Sequence, residues 1–285
     1  MILVTGASGN VGSALLGELR AAGHHVRAAY RSRGQVAQAV QAGHEAVIAD
    51  LSRPDTLSFP LHGVDTVFLL AASGAEQPGH ELGLIEAARA AGVRRVVKLS
   101  VWRADERLTP IARWHWPAEE ALRSSDLAWT FLRPNFYMQN FTRQMARPIR
   151  ETGSFAQPET EAAISFVDTR DIARVAARVL TTPGHDGRVY DITGPEALTY
   201  EQAAAVLSTV LGTPVRFTGL TDEEARADML RRGLPPGYAD VLIEVSRAYR
   251  HGGVEGVTSV VRDLTGRAPV SFEEFVRDNL AVFQG

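Results

Sequence analysis

Over the first half of the chain, short apolar runs alternate with stretches of helical periodicity. Ile2, Leu3 and Val4 form a run suited to a buried parallel strand, and Ala14, Leu15, Leu16 and Leu19 recur behind it at helical spacing. The helix closes near Gly23. The same alternation predicts strands over 25–30, 46–49, 64–72, 96–100 and 127–132, with helices over 35–42 and 80–91 closed by Gly43 and Gly92. The unbroken apolar run at 64–72 suits a strand covered on both faces. Beyond residue 150 the alternation fades. Strands are expected at 164–167 and 187–192, an extended piece at 215–218, and helices over 169–180, 198–211, 221–232, 238–249 and 271–283. Gly252, Gly253 and Gly256 mark a mobile connection. The pattern predicts an α/β core over 1–150. The remaining sheet elements, over 151–285, are interleaved with a smaller, mainly helical lobe that closes a substrate cleft.

Between the first strand and the first helix stand Gly6, Gly9 and Gly12, at three-residue spacing. Strand, glycine turn and amphipathic helix are the parts of a dinucleotide-binding βαβ unit. Gly6 permits the tight turn, Gly9 lets backbone approach a pyrophosphate, and Gly12 lets the helix pack close on the sheet. The first-turn N–H groups, over Ser8, Asn10 and Val11, have no intrahelical partners and can hold an anion. This predicts a Rossmann-like doubly wound parallel sheet. About 20 residues past the glycines, an acid takes the ribose 2′-OH of NAD, whereas an Arg accommodates a 2′-phosphate. The chain has Arg31, Ser32 and Arg33 there and no acid. NADPH is therefore expected, with NADH less favoured. Asp50 and Leu51, after the third strand, are placed to reach the adenine, although Asp50 could equally cap the turn through 52–54. Ala71, Ala72 and Ser73 are small, as backbone beneath a dinucleotide requires.

Composition narrows the picture without changing it. With 285 residues, 45% hydrophobic and 22% charged, the chain can bury a full core. A net charge of −3 argues against a nucleic-acid surface. No cysteine is present, which excludes disulfides, thiolate catalysis and cysteine-held metals. The histidines are scattered and no metal site is expected. No apolar run reaches the roughly 20 residues of a membrane span, and a core strand at residue 2 leaves no room for a leader. A cytoplasmic protein acting on a small molecule is the simplest expectation.

Candidate chemistry clusters after the fifth and sixth strands. Ser100 and Trp102 end the fifth, and Glu119 follows His115 by four residues, so one helical face carries both. His115 could donate a proton, form a polar pocket wall, or start a helix while bonded to Glu119. Ser100 is either a second catalytic and cofactor-contacting group or a turn cap. Beyond the sixth strand, Asn135, Phe136, Tyr137, Asn140 and Phe141 combine aromatic rings with amides where ligands of open α/β sheets bind. With Trp102, Trp114 and Trp116 they could line an aromatic slot, although core packing accounts for at least half of such rings. Asp168 and Asp171 read as the cap and first turn of a helix.

The segments Thr5-Gly-Ala-Ser-Gly-Asn-Val-Gly12, Lys98-Leu-Ser100, Trp129-Thr-Phe-Leu-Arg-Pro-Asn135 with Met138-Gln-Asn140, and Phe166-Val-Asp-Thr-Arg-Asp-Ile172 resemble the NmrA-like branch of the atypical short-chain dehydrogenase/reductases. Thr265-Gly-Arg-Ala-Pro and Phe272 extend the resemblance to nearly the whole chain. It implies an NAD(P) site and a small C-terminal substrate lobe. The branch contains quinone, triphenylmethane-dye and ergot-alkaloid reductases, and regulators that bind a dinucleotide without turnover. His115-Trp-Pro-Ala-Glu119 and the 135–140 segment look closest to the ergot-alkaloid type. One departure matters. The superfamily's Tyr-x-x-x-Lys acid–base pair is absent from this sequence, and His115-x-x-x-Glu119 stands in its place. Two readings follow. One is an NADPH-dependent reductase of a flat, electron-poor acceptor such as an iminium ion or quinone. The other is an NADP(H)-sensing regulator that binds a protein partner.

Overall fold

The computed structural model describes residues 1–284. Its first compact unit comprises 1–107, 112–133 and 172–191. Six strands are laid down in order: β1 (Ile2–Val4), β2 (Val26–Tyr30), β3 (Ala46–Ile48), β4 (Thr66–Leu69), β5 (Arg95–Leu99) and β6 (Ala128–Pro134). Between them run α1 (Asn10–Ala21), α2 (Arg33–Gln41), α3 (Ser58–Leu61), α4 (Gln77–Ala90) and α5 (Pro110–Arg123). Later in the chain follow α6 (Ala146–Thr152), β7 (Ser154–Pro158), α7 (Thr169–Thr181) and β8 (Arg188–Ile192). The sheet has seven strands in the order β3-β2-β1-β4-β5-β6-β8, and β1 to β6 pair in parallel. This is the expected doubly wound, Rossmann-like fold. Strand order reverses beside β1, the place where such sheets open a crevice for ligand. Parallel pairing carries the loops after β1, β4 and β5 to one edge of the sheet.

The core of this unit is apolar on both faces of the sheet. Leu3, Val67, Leu69, Val96 and Phe131 are buried together with Leu84, Ile85 and Leu122 from the helices. Each such side chain contributes roughly 1.5–3 kcal/mol of burial. Thr5 ties β1 to β4 where the glycine loop begins. Its hydroxyl lies 3.0 Å from the carbonyls of Phe68 and Leu70 and accepts from Leu70 N–H at 2.8 Å.

The second unit comprises 108–111, 134–171 and, among the described residues, 192–284. It holds the parallel pair β7 and β9 (Arg216–Leu220), followed or flanked by α8 (Tyr200–Leu211), α9 (Asp222–Arg231), α10 (Pro236–Tyr249), α11 (Val260–Thr265), α12 (Phe272–Asp278) and α13 (Leu280–Gln284). Capping boxes start α8 at Thr199 and α9 at Thr221. Two expectations fail here. Residues 164–167 form no strand but only isolated bridges, Ile164 with Leu198 and Val167 with Tyr137. Their backbone groups bond to three separate segments, Ser165 N–H to Val254 among them, so no continuous ladder can form. The helix expected over 271–283 breaks at Asn279, whose amide donates back to the Phe275 carbonyl at 2.7 Å. Among the described residues, no helix is long and apolar enough to cross a membrane.

Candidate active site

The glycine loop has the form a phosphate cradle needs. Gly6 adopts φ +63° and Gly9 N–H bonds back to the Gly6 carbonyl at 2.9 Å. A Cβ on Gly12 would lie 2.1 Å from Gly6 O, an impossible approach, so only glycine lets α1 pack here. A Cβ on Gly9 would lie 3.3 Å from the same oxygen, tight but tolerable, and Gly9 itself is exposed. Gly9 is also the N-cap of α1 and supplies no side chain to its N–H groups. An exposed glycine face backed by an uncapped helix start fits a dinucleotide pyrophosphate. Ser8 is exposed beside it, Asn10 is half-buried, and Val11 faces the core.

Arg31 and Arg33 are exposed beyond β2. Ser32 between them is engaged otherwise: its hydroxyl accepts from Gln35 N–H at 3.2 Å as the N-cap of α2. Asp50 does cap its turn, accepting from Ser52 N–H at 3.0 Å and Ser52 Oγ at 2.7 Å. These bonds, with the charges of Arg31 and Arg53, hold its carboxyl below the usual range. Leu51 is half-buried, Ala71 buried and Ala72 exposed at the sheet edge.

A buried polar network lies against β5. Lys98 and Ser100 share one strand face, and His115 and Glu119 share one face of α5. Lys98 Nζ donates to Glu81 Oε2 at 2.6 Å and to His115 Nδ1 at 3.0 Å. Gln77 Nε2 lies 3.0 Å from that nitrogen and 3.2 Å from Nε2 of the same ring. Lys98 and Glu81 are fully buried. The Lys98 ammonium can only donate, so Nδ1 accepts from it and a neutral ring carries its proton on Nε2. Burial, then the Lys98 charge, pushes the His115 imidazolium well below its ordinary value, so the ring is neutral at pH 7. Burial likewise raises the Glu81 carboxyl, against the pull of Lys98. His115 thus bonds to Lys98 and Gln77, and of its three readings the bond to Glu119 is the one not made. Glu119 instead accepts from Ser100 Oγ at 2.6 Å, Arg133 Nη2 at 2.6 Å and Nε at 3.0 Å, and Arg123 Nη2 at 3.2 Å. Ser100 therefore has its hydroxyl proton committed to a carboxylate and can only accept further. Sequence reasoning missed Lys98, Glu81, Gln77 and Arg133 as site residues. The available signal was Lys98 itself, the chain's single lysine, set within an apolar strand.

Among the aromatic candidates, Trp102 is half-buried beyond β5. Trp116 lies beneath two guanidinium groups, Arg107 at 5.4 Å and Arg123 at 5.6 Å. In the second unit, Asn135 departs from its expected role. Its Nδ2 donates to Ser165 Oγ at 2.7 Å and Val254 O at 2.8 Å, and its Oδ1 accepts from Phe136 N–H at 2.9 Å. The amide is consumed in holding the 135–137 turn and offers no donor to a substrate. Phe141 is fully buried, with Phe155, Phe166 and Phe272 around it at 5.7, 5.3 and 4.6 Å, and it packs in the core while also lining the cavity below. Tyr137 is half-buried, and burial raises its phenol well above the ordinary value. Phe136 and Asn140 line a cavity of about 770 Å³ within this unit. Asp168 caps α7 as expected, accepting from Arg170 N–H at 2.7 Å, and Asp171 accepts from Val270 N–H at 2.7 Å.

The sequence model of the NmrA-like family matches residues 1–276. The chain is 36% identical over 284 residues to an NAD(P)H azoreductase of Xenophilus azovorans, covering 99% of each chain. It is 37% identical over 285 residues to a (4-alkanoyl-5-oxo-2,5-dihydrofuran-3-yl)methyl phosphate reductase of Streptomyces griseus, again covering 99% of each. The crystal structure of the NADPH-dependent quinone oxidoreductase QOR2 of Escherichia coli with NADPH superposes with a TM-score of 0.90 at 29% identity, covering 98% of this chain and 100% of that one.

Proposed function

Because this chain belongs to the NmrA-like family, we propose that it is an NADPH-dependent reductase of a small, flat, electron-poor organic acceptor of quinone-like character. The observation that carries the reading is the neutral His115 imidazole held by Lys98. The similarity to azo and quinone reductases supports the reaction class.

NADPH, when bound, supplies a hydride. The backbone of 6–12 and the start of α1 would hold its pyrophosphate, Arg31 its 2′-phosphate, and Ala71 and Ala72 would let it lie close to the sheet edge. His115 would offer a hydrogen bond from Nε2–H to the acceptor. A neutral imidazole donates such a bond but is a poor acid, so it suits an acceptor whose reduced form is weakly basic. A quinone oxyanion is spread over a ring, and a reduced iminium needs no proton in that step. A simple ketone becomes a strongly basic alkoxide and requires a better acid. The chain's contribution is then mainly positioning.

The test follows NADPH absorbance with quinones, cyclic iminium ions, and simple ketones, for the wild type and His115→Ala. Turnover of the first two sets, with His115→Ala slowed by about tenfold to a hundredfold, is expected for one lost neutral donor. Efficient ketone reduction that collapses in His115→Ala would establish a proton-donor enzyme instead. NADPH binding with no turnover on any set would return the chain to the regulatory reading.

A further inference from the structure

The cavity of the second unit has two kinds of wall. Its floor is aromatic, with Phe155 and Phe166 against Tyr200 at 6.1 and 5.9 Å between ring centres. The side-chain amides of Asn140 and Gln157 line it without a hydrogen bond among the described residues. Its rim is cationic. Arg231 and Arg232, at the end of α9, converge on the single carboxylate of Asp228 at 3.1 and 2.8 Å. One acid thus serves two guanidinium groups, and one positive charge stays uncompensated. The other acid on the lining, Glu151, is taken by Arg147 at 2.8 Å. Among the described residues, the cavity therefore has no unpaired carboxylate to attract a cation. Its volume suits a body of two or three fused rings.

We infer that this cavity takes an aromatic acceptor bearing an anionic substituent, a sulfonate, carboxylate or phosphate monoester, with the rings on the Phe155–Tyr200 floor and the anion toward Arg231 and Arg232. The inference rests on the reductase reading and narrows its substrate class. Guanidinium forks match such oxyanions, and aromatic faces match the flat body. It also ranks a cationic acceptor such as an iminium ion below a neutral or anionic one of the same size, because the rim repels it.

The experiment compares three naphthoquinones of one size: the neutral 1,4-naphthoquinone, its 2-sulfonate and a trimethylammonium derivative. A sulfonate also makes the ring easier to reduce, so affinity is read by calorimetry without cofactor, beside NADPH oxidation rates. The sulfonate should bind about fivefold more tightly than the neutral quinone, and the cation more weakly than both. That advantage should shrink to about twofold or less in Arg231→Gln/Arg232→Gln, and in about 0.5 M salt, where exposed charges are screened. Ser246→Phe, a half-buried position on the same wall, should weaken all three about tenfold or more by filling the space. Equal affinities for the three quinones, a preference unchanged in the double variant, or binding indifferent to Ser246→Phe overturns the assignment. Arginine-dependent sulfonate binding with no NADPH oxidation on any quinone would sink the reductase reading and leave the cavity assignment standing. Equal binding with turnover of all three would do the reverse.

Discussion

Lys98 Nζ lies 3.0 Å from His115 Nδ1 and 2.6 Å from Glu81 Oε2, so one buried ammonium both neutralises a carboxylate and fixes a tautomer. A buried pair that loses one partner leaves an uncompensated charge. Lys98→Met should therefore destabilise the protein by about 3–5 kcal/mol. Lys98→Met/Glu81→Leu should recover most of the loss, since apolar groups replace both charges. Urea unfolding midpoints check this. A Lys98→Met loss that persists undiminished in the double variant would show that packing, not charge, is at stake.

The same contact makes a pH prediction. In the unfolded chain His115 takes up its proton near 6.5, while in the fold it does so only well below that. The unfolded state then binds more protons, and stability falls as pH drops below about 6.5, by at most ~1.4 kcal/mol per pH unit per histidine. His185, also held down by burial, adds in the same direction. Glu81, whose carboxyl is raised, works in the opposite direction at lower pH. The urea midpoint should decline from pH 7 to pH 5, and more shallowly in His115→Gln. A variant as steep as the wild type would mean that His115 titrates normally in the fold.

Two glycines of one loop should behave differently. Gly12→Ala forces a Cβ to 2.1 Å from a backbone carbonyl and should cost several kcal/mol of stability. Gly9→Val stands on the exposed side, and should leave a folded protein that no longer binds NADPH. Thermal melts with cofactor titrations distinguish the two, and a folded Gly9→Val protein with unimpaired NADPH binding would remove the cradle assignment.

Cofactor choice should rest on Arg31, because Ser32 is occupied at the start of α2. A charge-assisted bond to the 2′-phosphate is worth roughly 1.5–3 kcal/mol, so Arg31→Ala should weaken NADPH by about ten- to a hundredfold. NADH affinity should hardly change. Equal wild-type affinity for the two cofactors would contradict the assignment.

Ser100 separates structure from chemistry. Its hydroxyl bonds to Glu119, itself clamped by Arg133, so Ser100→Ala should cost about 1–3 kcal/mol of stability. With acceptors that need no proton, kcat should change by less than about threefold, because a hydroxyl already donating to a carboxylate is not a proton source. A loss of kcat near a hundredfold with stability intact would place Ser100 on the acceptor.

Local pattern was enough for the sheet and its glycine loop, because strand, turn and helix each depend on adjacent residues. β1 to β6 fall where apolar runs place them, and Gly6, Gly9 and Gly12 need only their immediate neighbours. The polar network was not legible, because its partners are far apart in sequence: Glu81, Lys98 and His115 meet only once α4, β5 and α5 are packed. The His115–Glu119 spacing rightly predicts a shared helix face, but which groups face it from the sheet is a tertiary fact. Asn135 illustrates the same limit. An amide beyond a strand end suggests a ligand contact, yet Val254, more than a hundred residues away, takes its proton.

That the one lysine is enclosed between Glu81 and His115 also makes the folded chain inert to side-chain amine chemistry. Acylating and reductive-alkylating reagents find no lysine on the surface, where the exposed strong cations are all guanidinium groups. Modification of Lys98 then requires the α4–β5–α5 layer to open. Its rate under native conditions, read by mass spectrometry at one residue, becomes a direct clock for that opening, with no engineered probe and no background from other lysines.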